Sequence, residues 1–108
     1  MLVQWQKDFE LGHPPTDAEH REVVDLLNEL YVTLDSEAPP EAIDRTLDAL
    51  VRLLASHLHA HGGDAPLISH ARDLHRTWRE TAAPPKRDDL RTLAHWWLEH
   101  LCSHTKKC

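Results

Sequence analysis

Residues 16–34 read TDAEHREVVDLLNELYVTL, and this stretch decides how the chain folds. Its apolar side chains recur every three or four residues, the spacing of one face of an α-helix: Val23, Val24, Leu27, Leu30, Tyr31 and Leu34. Thr16 followed by Glu19 fits a capping box, which predicts a first helix that starts near Thr16 or Asp17. Ala38-Pro39-Pro40 ends this helix. Continued toward the helix start, the apolar face reaches His20.

Three further segments carry the same helical period. Prolines and glycines bound them: Pro40 to Gly62-Gly63-Asp64 for the second helix, Pro66 to Ala83-Pro84-Pro85 for the third, and about Lys86 to the C-terminus for the fourth. Their apolar faces are Ile43, Leu47, Leu50 and Leu54; Leu67, Ala71, Leu74 and Trp78; and Leu90, Leu93 and Trp97. Such helices, joined by short loops, predict an all-α fold, an antiparallel up-down-up-down four-helix bundle. One domain, 1–108, includes residues 1–16 as an N-terminal arm.

Composition narrows the classes of function. The formal net charge is −6 and the basic residues are scattered, so nucleic acid is not an expected partner. The first residues lack the basic and apolar regions that mark a signal peptide, and no apolar stretch is long enough to cross a bilayer, so we expect a soluble cytoplasmic protein with no membrane partner. Cys102 and Cys108 are expected to be incidental thiols in a reducing compartment. The oligomeric state is not predicted.

Histidine is the outlier, with ten residues spread from His13 to His104. In an antiparallel bundle, the starts of the first and third helices lie at the same end as the ends of the second and fourth. Extending each apolar face toward that end reaches seven histidines: His20, His57, His61, His70, His75, His100 and His104. Because buried imidazoles without partners are costly and imidazole is a common metal ligand, we predict a metal site to which all four helices contribute.

Two other interpretations of the histidines stay open. A single histidine on an apolar face is more often a core residue whose ring makes a hydrogen bond. A buried group of histidines can also act as a pH sensor that loosens when the rings are protonated. The four tryptophans are expected to pack in the core and the arm rather than to stack on a cofactor.

Several motifs along the chain match one known pattern. Residues 5–12 and 17–28, WQKDFELG and DAEHREVVDLLN, contain a Trp, a Gly, an Asp three residues before His20, and a Leu-Asn helix. Trp97 and Leu98 precede His100, and the aromatic residue Trp78 lies three positions after His75. The chain thereby resembles the hemerythrin family, four-helix bundles in which five histidines and bridging Glu and Asp residues hold two irons that bind O₂ reversibly. The resemblance implies that His20 and His57 serve one iron, and that His100 serves the other with His70 and His75.

Three features depart from the family pattern. His61 stands at the position of the bridging Glu, and Thr105, preceded by His104, at that of the bridging Asp. His70 and His75 are five residues apart instead of four. Bridging carboxylates hold two metals close together and offset their charge, which neutral imidazole does not do. An all-histidine site therefore favours one metal, or two well separated, and suits iron, zinc, copper, nickel or cobalt.

These patterns together predict a hemerythrin-like, histidine-rich metal-binding protein that carries or senses O₂ or a related small ligand. Iron is expected from the resemblance, with zinc or another transition metal as the alternative. A metal-dependent redox enzyme acting on O₂, peroxide or nitric oxide is less favoured, because no acid or base is positioned beyond the ligands. A metal-free signalling or interaction bundle is the other alternative, motivated by the missing carboxylates.

Overall fold

Four α-helices and one short 3₁₀ helix make up the described part of the chain, which contains no strand. A computed structural model describes the backbone of residues 2–36, 39–61 and 65–105, and the side chains of the same residues except 58–61, 65 and 103–105. The helices are α1, Pro14–Asp35; α2, Pro40–His61; α3, Ala65–Thr81; and α4, Arg87–Thr105. Both α1 and α3 pack against α2 and α4, so the packing is consistent with a bundle. The all-α prediction is confirmed.

The apolar faces read from the sequence form the core. Most of the predicted positions are buried, and four of them, Tyr31, Leu34, Leu74 and Trp78, pack partly buried at its edge. The most deeply buried side chains come from all four helices: Leu27, Leu30, Leu47, Leu50, Leu54, Leu67, Leu90, Leu93, Trp97 and Leu101. Burial of such side chains stabilises the fold by roughly 1.5–3 kcal/mol each before entropy is counted. The core therefore fixes which face of each helix points inward.

Helix α1 begins earlier than predicted, and its capping box is not formed. Pro14 is its first residue, because proline fits the first helical positions, where its missing N–H is not needed. His13 is the N-cap and makes no side-chain cap hydrogen bond. The Thr16 hydroxyl lies 2.6 Å from Nδ1 of His13 instead of capping the helix. The capping box predicted from Thr16 and Glu19 is therefore wrong. The Glu19 side chain contacts His57 instead.

Residues 2–13 pack against α1 and α4. Asn28, at mid-length in α1, holds Val3 by two hydrogen bonds: it accepts from the Val3 N–H at 2.8 Å and donates to the Val3 carbonyl at 2.7 Å. The Asp17 carboxylate accepts from the N–H groups of Leu11 and Gly12 at 2.8 and 3.1 Å. Gly12 has φ +82, a backbone conformation that side chains rarely adopt. These contacts fix how the chain enters α1.

Cys102, near the end of α4, is disulfide-bonded. The prediction that Cys102 is an incidental thiol was therefore wrong. Cys102 no longer supports a reducing compartment. The chain's other cysteine, Cys108, lies outside the described residues. Within the described ranges, no helix combines the length and the apolarity that a membrane crossing needs.

Candidate metal centre

Three histidines from three helices meet inside the bundle. His20 lies near the start of α1, His57 near the end of α2 and His100 near the end of α4. Their exposed fractions are 0%, 1% and 7%. Helical periodicity places them here, since each is three residues from a buried apolar residue of its own helix: Val23, Leu54 and Trp97. We call His20, His57 and His100 the three-histidine cluster.

The ring nitrogens of this cluster point at one another. Nε2 of His57 lies 3.1 Å from Nε2 of His20 and 3.0 Å from Nε2 of His100. Each residue offers one ring nitrogen, and the three nitrogens lie within 4.8 Å of one another. Three nitrogens on a tetrahedral metal, at about 2.0–2.1 Å from it, are about 3.3 Å apart. The two short separations are thus close to those of a metal-bound set.

Glu19 fixes the proton on His57. Its Oε1 lies 2.8 Å from Nδ1 of His57, and a carboxylate only accepts, so Nδ1 carries the hydrogen and donates it. In the neutral ring, Nε2 of His57 then presents a lone pair to the centre of the cluster. Metal-binding histidines commonly have such a carboxylate on their other nitrogen. Sequence reasoning missed this role, although Glu19 precedes His20 at the same end of the bundle.

This tautomer makes the cluster suited to a cation. The single lone pair on Nε2 of His57 faces a ring nitrogen of His20 and another of His100. One imidazole lone pair cannot accept two strong hydrogen bonds, whereas a cation accepts a lone pair from each of three nitrogens. The donor set of the three-histidine cluster therefore fits a transition-metal dication.

Trp97 forms one wall of the cluster and holds its rings in place. Its indole stacks on the His100 ring, with centroids 4.9 Å apart and planes 21° apart. The rings of His20 and His57 meet the indole edge-on, at 5.6 and 5.4 Å. Trp97 is 0% exposed, so water is kept from this side of the rings. The prediction that tryptophans serve packing is confirmed for Trp97.

The two histidines of α3 lie outside the three-histidine cluster. His75 is buried, and its Nε2 lies 3.4 Å from Oδ1 of Asp44 at the start of α2. Asp44 is thirteen residues before His57, or about 20 Å along the helix, which explains why His75 does not meet the cluster. His70 is partly exposed, with its Nε2 3.8 Å from Oδ1 of Asp89. A metal-binding role for either stays a prediction.

The remaining two predicted ligands cannot be placed with the others. The side chains of His61 and His104 lie outside the described residues. Among the side chains that the structure describes, His20, His57 and His100 are the group of three whose donor atoms could share an ion. Three of the seven predicted ligands are therefore brought together, and they come from α1, α2 and α4.

No family model, curated protein or solved structure matches the chain. The hemerythrin resemblance thus depends on sequence motifs alone, those around Trp5, His20, His57, His75 and His100. Fold and cluster geometry stand independently of that resemblance, because they follow from the burial and the distances described above.

Proposed function

We propose that this protein is a hemerythrin-like metal-binding protein whose centre is the three-histidine cluster. The observation that carries the proposal is the pair of short Nε2–Nε2 distances, 3.1 and 3.0 Å, among three buried imidazoles. Iron is the metal that the family resemblance favours. Zinc, copper, nickel and cobalt also suit an imidazole donor set.

The proposed architecture is an up-down-up-down bundle. Contacts between helix ends support it: Arg87 at the start of α4 pairs with Asp35 at the end of α1. Arg79, near the end of α3, lies 3.5 Å from Asp44 near the start of α2. An antiparallel arrangement of neighbouring helices brings such ends together. It also explains why the start of α1 and the ends of α2 and α4 share the three-histidine cluster.

We further propose that the bound metal carries or senses O₂ or a related small ligand. The support is the resemblance of the segments around His20 and His100 to the hemerythrin family, together with the burial of the cluster. The protein's own residues would exclude water through Trp97 and hold His57 in one tautomer through Glu19.

The test is metal content and an optical spectrum of the untagged protein as isolated. We expect a stoichiometric transition metal that is lost in His100→Ala and retained in His95→Ala, a control on the exposed side of the same helix. If the metal is iron, removing and readmitting O₂ should change the spectrum reversibly. A protein that binds no transition metal in any preparation would contradict the proposal.

A further inference from the structure

We propose that a cleft between α2 and α3 binds the phosphate group of a small organic phosphate. The inference goes beyond the proposed metal-binding function, because none of the three clustered histidines lines this cleft. We call it the arginine cleft, and its lining residues are Val51, Arg72, His75, Arg76, Arg79 and Glu80. Its volume is about 340 Å³, within the range of roughly 300–1,000 Å³ that is usual for small-molecule sites.

The arginine cleft concentrates positive charge on an acidic protein. The chain has a formal net charge of −6, yet three of the six residues that line the cleft are arginines and only one is acidic. Arg72, Arg76 and Arg79 follow one another at steps of four and three residues, so the helical period brings them to one face of α3. An anion that enters the cleft can therefore contact more than one guanidinium group.

Carboxylates engage these guanidinium groups only weakly. Arg72 makes no ion pair with any residue that the structure describes. Arg76 pairs with Asp73 at 3.0 Å, but both side chains are more than half exposed, so solvent screens the pair. Arg79 is also exposed, and two carboxylates of α2 lie 3.5 and 3.7 Å from it. A phosphate dianion carries two charges and accepts from several N–H groups at once, so it can compete with such pairs.

The floor of the arginine cleft combines a polar position with an apolar wall. His75 is 8% exposed, and its Nε2 makes no hydrogen bond within the described part of the chain, although Asp44 lies 3.4 Å away. Buried polar groups are nearly always hydrogen-bonded, so this position calls for a further partner such as a ligand oxygen. Val51 is half-buried and offers an apolar surface to the rest of the ligand. This combination favours an organic phosphate over the free ion.

Calorimetric titration of the untagged protein with phenyl phosphate tests the inference, with inorganic phosphate and phenol as comparison ligands. We expect one phenyl phosphate to bind per chain, and inorganic phosphate to bind roughly three- to tenfold more weakly because it lacks the apolar part. Phenol, which lacks the charge, should not bind detectably. Inorganic phosphate that binds as tightly as phenyl phosphate would overturn the inference of an organic ligand. Binding of phenol as tight as that of phenyl phosphate, or no binding of either phosphate, would overturn the site.

Variants of the charged residues locate the bound phosphate. Arg72→Gln and Arg76→Gln should each weaken phenyl phosphate binding by roughly three- to tenfold, because each removes a charge-assisted hydrogen bond. Arg45→Gln, at an exposed position of α2 outside the cleft, is the matched control and should leave the affinity unchanged. Glu80→Gln removes the carboxylate that lines the cleft and should strengthen binding by roughly two- to fivefold. An equal loss in Arg45→Gln, or no loss in Arg72→Gln and Arg76→Gln, would overturn the inference.

His100→Ala separates this inference from the proposed metal-binding function. The variant removes one ring of the three-histidine cluster and leaves every residue of the arginine cleft in place, so the affinity for phenyl phosphate should be retained. Circular dichroism checks that each variant is folded before titration. Phosphate binding that is lost in His100→Ala but unchanged in Arg72→Gln would place the phosphate on the metal, which would overturn this inference and leave the metal-binding function intact. Phosphate binding that depends on Arg72 in a protein that binds no metal would support this inference and contradict the proposed function.

Discussion

His57 and His75 are the same residue type, are both buried and both lie beside a carboxylate, yet they differ in what their rings can do. Glu19 accepts a hydrogen bond from Nδ1 of His57 at 2.8 Å, and this leaves Nε2 of His57 facing two other imidazoles. Asp44 lies 3.4 Å from Nε2 of His75. Burial alone therefore does not mark a metal ligand. What distinguishes the two histidines is that Nδ1 of His57 donates a hydrogen bond to Glu19 and leaves Nε2 to the cluster, whereas Nε2 of His75 lies 3.4 Å from Asp44 without a hydrogen bond.

Removing each histidine in turn gives the largest expected contrast. His57→Ala takes away the ring that contacts both other members of the cluster, so metal affinity should fall by more than roughly 100-fold, beyond the range seen for second-sphere residues. His75→Ala should change it by less than roughly threefold. Competition with a chromophoric chelator measures both affinities. Equal losses in the two variants would mean that His75 is also a ligand and would break the comparison.

Removing the metal should lower the thermal stability of the protein, and this effect should require an intact three-histidine cluster. At a free metal concentration about 100 times the dissociation constant, binding stabilises the folded state by about 2.7 kcal/mol, which corresponds to a midpoint shift of roughly 10–20 °C. Calorimetry with and without chelator measures this shift. The same shift should persist in His75→Ala and vanish in His57→Ala. A shift that survives in His57→Ala would place the metal elsewhere.

The carboxylate on His57 can be separated from the ligand itself. Glu19→Ala leaves all three imidazoles in place but removes the acceptor that orients His57 and fixes its tautomer. Metal affinity should fall by roughly 10- to 100-fold, less than after the loss of His57. Glu29→Ala, on the same helix and exposed, is the matched control for metal titration by calorimetry. An unchanged affinity in Glu19→Ala would show that the hydrogen bond does not orient the ring.

The smallest effect is expected at the carboxylate beside His75. Asp44 is 41% exposed and interacts with His75 and Arg79 at 3.4–3.5 Å. Solvent screens such pairs, so Asp44→Ala should lower the free energy of unfolding by no more than about 1 kcal/mol and leave metal affinity unchanged. Urea denaturation measures the first quantity. A loss above about 2 kcal/mol would mean that this contact organises the buried α3 face much as Glu19 organises the cluster.

Much of the fold and part of the site could be predicted from the sequence. Periodicity identified four helices and their buried faces, and extending those faces reached His20, His57 and His100, because all three continue an apolar face by one helical turn. The α3 histidines were harder to place, because they flank the inner face of their helix. Their distance from the three-histidine cluster depends on the position of α3 along the axis of α2. Periodicity within one helix carries no information on that register.

Local hydrogen bonds were predicted least well. The spacing of Thr16 and Glu19 fits a capping box, but the helix begins two or three residues earlier, at Pro14, and this removes Thr16 from the cap position. Glu19 then binds a histidine 38 positions away in the sequence. The disulfide of Cys102 was also missed, because two cysteines close together in sequence do not by themselves indicate a bridge. Tertiary context decides such contacts over local pattern.

The double hydrogen bond between Val3 and Asn28 has a practical consequence for handling this protein. It ties Val3 to the helix that also carries Glu19 and His20, so this segment is part of the folded unit. A truncation that removes Val3 would leave the half-buried carboxamide without both partners, a penalty of about 1–3 kcal/mol. Affinity tags and fusion partners are therefore better attached away from this terminus, and proteolytic trimming there should loosen α1 before it touches the core.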